Sequence, residues 1–269
     1  MQRLLSRDFV DKTTEVSSLE IVEHVFRIVI PFEDIYTTVF LIQTAEGVLM
    51  FDTATFGSDM DQYVFPVLEE INAVPKYVFI SHSHRDHAGG LSRVCEKFPG
   101  IQIVARSEMI REKYPNVLSP ADDDRLLGVL QVVEIPGHTR DCMGLLDLRS
   151  KTLLTGDSLQ IYGIYGSGNW GANIRFPREH LAALDKIRKL DVQTMIASHD
   201  YHPCGFIARG KREVERYIAG CSDALYEIAA MLRDNPDLDD AAAAKRYNQT
   251  KGLPTVGFHV FEAVRRELM

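Results

Sequence analysis

The alternation of apolar and polar positions predicts an α/β chain in which short strands are followed by helices. The strand-like runs have period-two or continuous apolar character, and the helical runs carry one apolar stripe at 3.6-residue spacing. Beyond residue 205 the pattern is helical, with one or two further helices expected over residues 236–269. Strands are expected near residues 21–31, 37–44 and 47–52, and helices near residues 58–72, 179–190 and 214–232.

Four apolar runs each lead into residues that can bind a divalent metal. Imidazoles and carboxylates are the ligands that zinc and similar ions take, and a pair of ions can activate water at neutral pH. The runs at residues 76–80, 130–135, 152–155 and 193–197 are followed, respectively, by His82, His84, Asp86 and His87, by His138, by Asp157, and by His199. A lone HxH pair is more often a solvated turn, but the whole series after strand ends favours a two-metal site.

The run SHSHRDH is expected to form a loop at the carboxyl end of a strand. Residues two apart, such as His82 and His84, lie about 200° around a helix, so they cannot share one helical face. The carboxyl ends of strands are where α/β folds place their sites.

On these residues the chain resembles the metallo-β-lactamase superfamily, whose pattern HxHxDH with a later His, Asp and His it matches over about residues 20–205. The resemblance implies a four-layer αβ/βα sandwich of two mixed β-sheets flanked by helices. It divides the chain into a catalytic domain, residues 1–205, and a helical C-terminal extension, residues 206–269, packed on the same domain. In the implied ligand sets, the first metal is bound by His82, His84 and His138, the second by Asp86, His87 and His199, and both by the bridging Asp157.

The resemblance also implies a chemistry. The chain is expected to be a dinuclear hydrolase that uses a bridging hydroxide to cleave an ester, thioester or lactone in a small molecule, as in glyoxalase II-type thioesterases and lactonases. Asp86 would orient the nucleophile as the catalytic carboxylate. Asp52 either supports the site from behind the ligands or ends a strand as a turn residue. Zn²⁺ is favoured as the metal, and Fe or Mn also suits these ligands.

Other functions stay open at this point. A phosphodiester hydrolase would use the same two ions. A persulfide dioxygenase-like enzyme would use one iron on His82, His138 and Asp157, and a non-catalytic module would bind metal or sense a ligand without turnover. Gln160 stands where many lactonases have a tyrosine, and the segment after His199 lacks the glutathione-binding pattern of glyoxalase II.

The segment at residues 160–177 is expected to line the substrate pocket. It combines four glycines with Tyr162, Tyr165 and Trp170, which is typical of a mobile loop that offers flat apolar surfaces. The alternative is an ordinary connection whose aromatic rings pack on the sheet.

The composition and charge of the chain limit the binding partners and the cellular location that are expected. The net charge of −8 argues against a nucleic-acid surface, which needs clustered Lys and Arg. The sequence has no long apolar run and no visible secretory signal, so no membrane partner and a cytoplasmic location are expected, while a homo-oligomer stays open. Four cysteines without paired spacing are expected to be free thiols.

Overall fold

Two mixed six-stranded β-sheets form the framework of the residues that the computed structural model describes, which are 19–167, 170–252 and 256–269. The strands of the first sheet follow chain order: β1 (Glu20–Val22), β2 (Val25–Phe32), β3 (Ile35–Thr44), β4 (Gly47–Phe51), β5 (Pro75–Phe79) and β6 (Gln102–Val104). Of these, β1 to β4 pair antiparallel, and β4, β5 and β6 pair parallel. Six of the eight residues of β2 are buried, which indicates that both faces of this strand are covered.

The strands of the second sheet are β7 (Arg125–Leu126), β8 (Leu130–Glu134), β9 (Met143–Asp147), β10 (Thr152–Leu154), β11 (Thr194–Tyr201) and β12 (Gly205–Arg209). Their order in the sheet is β12-β11-β10-β9-β8-β7. Strands β10 and β11 pair parallel, whereas β9–β10, β11–β12 and β7–β8 pair antiparallel.

Helices follow the strands largely where the periodicity predicts them. The first predicted helix contains a π-helical turn, Met60–Val64, between two α-helical pieces. The helix expected over residues 179–190 begins two residues earlier, because Pro177 suits the first helical turn. The helices are α1 (Gly57–Asp59), α2 (Phe65–Glu70), α3 (Arg85–Ala88), α4 (Leu91–Lys97), α5 (Glu108–Lys113), α6 (Pro177–Ile187), α7 (Lys211–Asp234), α8 (Asp240–Lys251) and α9 (Phe258–Leu268).

The described residues fall into two compact units that divide after Val132. In the first unit, alternate residues of the sheet pack against the helices, with Ile28 and Val39 in one core with Leu68 of α2. Strand residues of opposite orientation form an aromatic row, in which the rings of Phe51 and Phe79 stack 5.2 Å apart. The first sheet therefore has two apolar faces, as the continuous burial of its strands requires.

The second unit contains a helical cluster at the C-terminal end of the chain. Apolar residues of α7, α8 and α9, including Ile228, Tyr247 and Phe261, form one buried core with Ala172 and Ile174. The α/β class, with two mixed sheets flanked by helices and a helical C-terminal tail, is thus confirmed. The domain boundary at residues 205/206 stays a prediction. None of the described helices combines the length and apolar character of a membrane span.

Three local expectations are wrong. The chain is not helical from residue 206 onward, because residues 205–209 form β12 before α7 begins. The SHSHRDH run is not a loop throughout, because Asp86 and His87 lie in the single helical turn α3. His199 does not follow its strand but lies inside β11, which continues to Tyr201.

Candidate metal centre

Helix α3 folds the HxHxDH run so that its imidazoles meet. His84 has extended backbone angles at the start of α3, and its carbonyl accepts hydrogen bonds from the N–H groups of His87 and Ala88. This turn brings the rings of His82 and His87 to 4.2 Å between centroids, and those of His82 and His84 to 4.7 Å. His82 and His87 are buried, whereas His84 is partly exposed.

Asp52 lies behind these histidines, at the end of β4. Its carboxylate is fully buried, and its backbone has a positive φ of 64°. One oxygen, Oδ1, accepts the Ser81 N–H at 2.7 Å. The other, Oδ2, accepts the Ser81 hydroxyl and the His87 Nδ1–H, each at 2.8 Å. Asp52 therefore follows a strand end and also binds a histidine of the cluster, whereas its support of a metal site stays a prediction.

These bonds determine which ring nitrogens carry protons. A carboxylate only accepts, so His87 donates from Nδ1, and in the neutral ring its Nε2 carries the lone pair. Ser81 gives its single hydroxyl proton to Asp52, so its oxygen accepts from His82 Nδ1, 3.1 Å away. His82 Nε2 thus also carries a lone pair. Burial raises the pKa of Asp52, while the bonds from His87 and Ser81 act in the opposite direction and favour the carboxylate.

His138, Asp157 and His199 form a second set. His138 follows β8 through Gly137, whose φ of 149° strains any other residue and where an added Cβ would lie 2.7 Å from His180. His138 Nδ1 lies 2.6 Å from the Asn173 carbonyl, which can only accept, so His138 Nε2 is again the lone-pair nitrogen.

Asp157 turns a different oxygen toward each histidine of this set. Its Oδ2 lies 3.9 Å from His138 Nε2, and its Oδ1 lies 3.4 Å from His199 Nε2. All three residues are buried. A carboxylate in this position can contact two ions, which is the arrangement expected for a bridging ligand.

Two residues around His138 were not predicted. Gln160 Oε1 accepts the Asn173 N–H at 2.6 Å, and Gln160 Nε2 lies 3.1 Å from His138 Nδ1. Because His138 gives its Nδ1 proton to the Asn173 carbonyl, Gln160 acts chiefly by fixing Asn173. The sequence signal for this role is a polar residue between the apolar Leu159 and Ile161, and the structure shows that its side chain is buried.

The seven expected ligands fall into two groups of atoms suited to metal binding. Within each group, one ligand atom of every residue lies within 4.8 Å of the others. This chemistry, with histidine lone pairs directed by bonds at Nδ1, fits two divalent ions. The groups are His82, His84 and His138, and Asp86, His87, Asp157 and His199.

The three expected pocket residues differ in their surroundings. Tyr165 and Trp170 are 40% and 39% exposed, and the Tyr165 ring lies 3.4 Å from that of His202. Tyr162 instead packs against the helical cluster and donates a hydrogen bond to Glu227. Within the same segment, residues 168 and 169 lie outside the described residues. All four cysteines are free thiols, as expected, and none belongs to the ligand groups.

Comparison with known proteins identifies the family. A family model described as the metallo-beta-lactamase superfamily matches residues 33–199. Hydroxyacylglutathione hydrolase 1 of Vibrio vulnificus is 29% identical over 136 residues, which are 50% of this chain and 52% of that protein. A hydroxyacylglutathione hydrolase of a Synechococcus strain is 28% identical over 158 residues, 56% of this chain and 60% of that protein. These matches span little more than half the length of the curated relatives.

Solved structures share the fold over most of the chain. A metallo-beta-lactamase family protein from Thermus thermophilus has a TM-score of 0.61 at 18% identity, over 90% of this chain and 92% of that one. The DIM-1 metallo-beta-lactamase has a TM-score of 0.60 at 15% identity, over 76% of this chain and 95% of that one. Since the family model spans more than half of its residues, the chain belongs to the metallo-β-lactamase superfamily.

Proposed function

We propose that this protein is a metal-dependent hydrolase that binds two ions and cleaves an ester, thioester or lactone bond of a small molecule. The observation that carries the proposal is the hydrogen-bond geometry at three histidines. His82, His87 and His138 each hold Nδ1 within hydrogen-bond distance of an oxygen, so the neutral ring with its proton on Nδ1 offers an Nε2 lone pair. Structural histidines have no need of three such matched tautomers, whereas metal ligands do.

The ligand assignment follows the two groups of atoms. His82, His84 and His138 would hold the first ion, and Asp86, His87 and His199 the second, with Asp157 between them. Zn²⁺ suits this set, and Fe or Mn is also accepted by it. Bound ions of this kind lower the pKa of water and polarise a carbonyl oxygen.

Asp86 is the proposed catalytic carboxylate. Its side chain is 21% exposed, whereas the side chains of Asp157 and His199 are nearly fully buried. Its Oδ2 lies 3.3 Å from His87 Nε2, so the carboxylate lies beside the ligands and still faces outward. These contacts support the proposal that Asp86 accepts a hydrogen bond from the attacking water and aligns it.

A thioester is the first substrate class to test, because the similar hydroxyacylglutathione hydrolases are named for a glutathione thioester. Tyr165 and Trp170 are exposed aromatic side chains on the segment after Asp157. We assign them to the wall of the substrate pocket, where flat rings bind apolar parts of a ligand. We do not assign Tyr162 to this wall, because its hydroxyl donates a hydrogen bond to Glu227.

The test is a substrate panel on metal-free and metal-reconstituted protein. Zinc-loaded protein should hydrolyse at least one of an acylglutathione thioester, an aryl ester and an acyl-homoserine lactone, and the metal-free protein none. Activity on a phosphodiester alone would replace the proposed bond class. Sulfur oxidation with one bound iron, or metal binding without any turnover, would contradict the hydrolase assignment.

A further inference from the structure

A polar cluster joins the segment after Asp157 to helices α7 and α8. Glu227 Oε2 accepts hydrogen bonds from Lys251 Nζ at 2.8 Å, from the Tyr247 hydroxyl at 2.6 Å and from the Tyr162 hydroxyl at 3.0 Å. Lys251 also donates to the Tyr162 hydroxyl at 3.1 Å, and its ammonium lies 4.7 Å from the Tyr162 ring centroid. These four side chains are named the Glu227 cluster below.

The Glu227 cluster specifies a position more than it adds stability. The Glu227 side chain is 42% exposed, and an ion pair at such a site contributes little free energy. Burial opposes the charged form of Glu227, but the hydrogen bonds from Lys251, Tyr247 and Tyr162 outweigh it and lower the pKa of the carboxyl. Three donors that converge on one oxygen leave the Tyr162 hydroxyl with little freedom of position.

The backbone carries this constraint from Tyr162 toward His138. The Tyr162 carbonyl accepts the Ala172 N–H at 3.3 Å, so the two arms of the segment are held together. The residue after Ala172 is Asn173, whose carbonyl fixes the Nδ1 proton of His138. Gln160, two residues before Tyr162, binds the Asn173 N–H from the other side. Both residues that position the His138 ring therefore lie within two residues of the anchored pair.

Helix α8 holds the second arm as well. Asn248 exchanges two hydrogen bonds with the backbone of Val256, Nδ2 to O at 2.8 Å and N to Oδ1 at 3.0 Å. Val256 in turn forms a β-bridge with Ala172. The C-terminal region therefore contacts the segment at Tyr162 and at Ala172, on either side of the connection to His138.

We propose that Tyr162, Glu227 and Lys251 are positioning residues for His138: through Ala172 and Asn173 they keep its proton on Nδ1 and its Nε2 lone pair available to a metal. The inference rests on the proposed function in one respect, that His138 is a metal ligand. It gives the C-terminal helices a role at the ligand set, and it places Tyr162 in that role instead of in contact with the substrate.

Two variants and one matched control test the proposal. Tyr162→Phe removes the hydroxyl and leaves the ring packed, and Lys251→Met removes the charge and keeps the length of the chain. Arg265→Met is the control, because Arg265 forms a similar partly exposed ion pair with Asp240 and donates to the Leu238 carbonyl, among the same helices. The first readout is the His138 ring tautomer, from ¹⁵N–¹H correlation spectra of the metal-free protein near pH 8. The second is Co²⁺ affinity, from titration of the same samples.

The unmodified protein and Arg265→Met should show the Nδ1–H form of His138 and equal Co²⁺ affinity. Tyr162→Phe and Lys251→Met should show a mixture of tautomers and about tenfold weaker binding of one ion, the lower end of the effect of outer partners on metal affinity. Equal loss of melting temperature in all three variants, with an unchanged tautomer and affinity within twofold, would reduce the cluster to a structural contact and overturn the proposal.

The two proposals fail in different ways. If the tautomer and the Co²⁺ affinity respond while no substrate is hydrolysed, positioning stands and the hydrolase assignment is wrong. If hydrolysis occurs and the His138 tautomer is the same in both variants as in the unmodified protein, the positioning proposal is wrong and the hydrolase proposal stands.

Discussion

Asp52→Asn should disturb both metal groups from a single buried position. Asp52 is not itself an expected metal ligand, but one of its oxygens accepts the His87 Nδ1–H and the Ser81 hydroxyl. In the variant, the amide oxygen must keep the Ser81 N–H, since that group only donates. The amide nitrogen then faces Ser81 Oγ and His87 Nδ1, and it donates where the carboxylate accepted.

This exchange of donor for acceptor changes the ring tautomers of two histidines. His87 Nδ1 becomes an acceptor, so its proton moves to Nε2, the nitrogen needed for the metal. Ser81 accepts from the amide and gives its own proton to His82 Nδ1, so His82 is reversed in the same way. Since loss of an outer partner costs about 10- to 100-fold in metal affinity, each ion should lose about 1.4 to 2.7 kcal/mol of binding free energy.

The assay is competition against a chromophoric chelator, with ring tautomers read from ¹⁵N spectra of the metal-free protein. Ser81→Ala is the matched comparison, because it removes the acceptor of His82 and leaves the bond from His87 to Asp52 intact. It should weaken only one ion. Asp52 does not set the two tautomers if Asp52→Asn binds both ions within twofold of the unmodified protein, or if both histidines keep the Nδ1–H form.

Three further outcomes are expected. Asp86→Asn should lower turnover by roughly 10²-fold, the scale of one positioned proton acceptor, and weaken one ion; unchanged turnover would exclude Asp86 as the catalytic carboxylate. Trp170→Ala should raise KM about tenfold, or about 1.4 kcal/mol of lost contact, without loss of metal, whereas lower stability with unaltered kinetics would make Trp170 a packing residue. Burial lowers the pKa of His180 from 6.5 to about 4, so the unfolded chain takes up the proton first and stability is lost as pH falls from 6.5 toward 4. Between pH 7 and pH 5 this costs roughly 2 kcal/mol, and His180→Gln in metal-free protein should lose less over that interval by urea unfolding; an identical pH dependence would refute the assignment.

The proposed ligands could be selected from sequence because most of them follow an apolar strand. His138 and Asp157 come after β8 and β10 as the pattern indicates. His199 was misplaced because β11 continues through the polar Ser198-His199-Asp200, where its pairing with β12 shifts register before Tyr201. The turn α3 is too short for hydrophobic periodicity to reveal it.

The contacts that orient the proposed ligands could not be predicted from the sequence. His138 is held by a backbone carbonyl 35 residues away, and a carbonyl has no sequence signal. The sequence also gives no means of telling apart the roles of the three aromatic residues in the segment at residues 160–177. Only their placement separates Tyr162, bound among the helices, from the exposed Tyr165 and Trp170.

A metal titration of the metal-free protein, with hydrolysis as the readout, tests whether two ions per chain are needed for activity. Zn²⁺ is added stepwise to a known amount of protein while cleavage of an acylglutathione thioester, or of the best substrate of the panel, is followed. Two His/Asp groups predict that activity grows with added metal and becomes constant at about two ions per chain. Full activity at one ion per chain, or binding of a single ion under excess metal, would contradict the two-ion hydrolase.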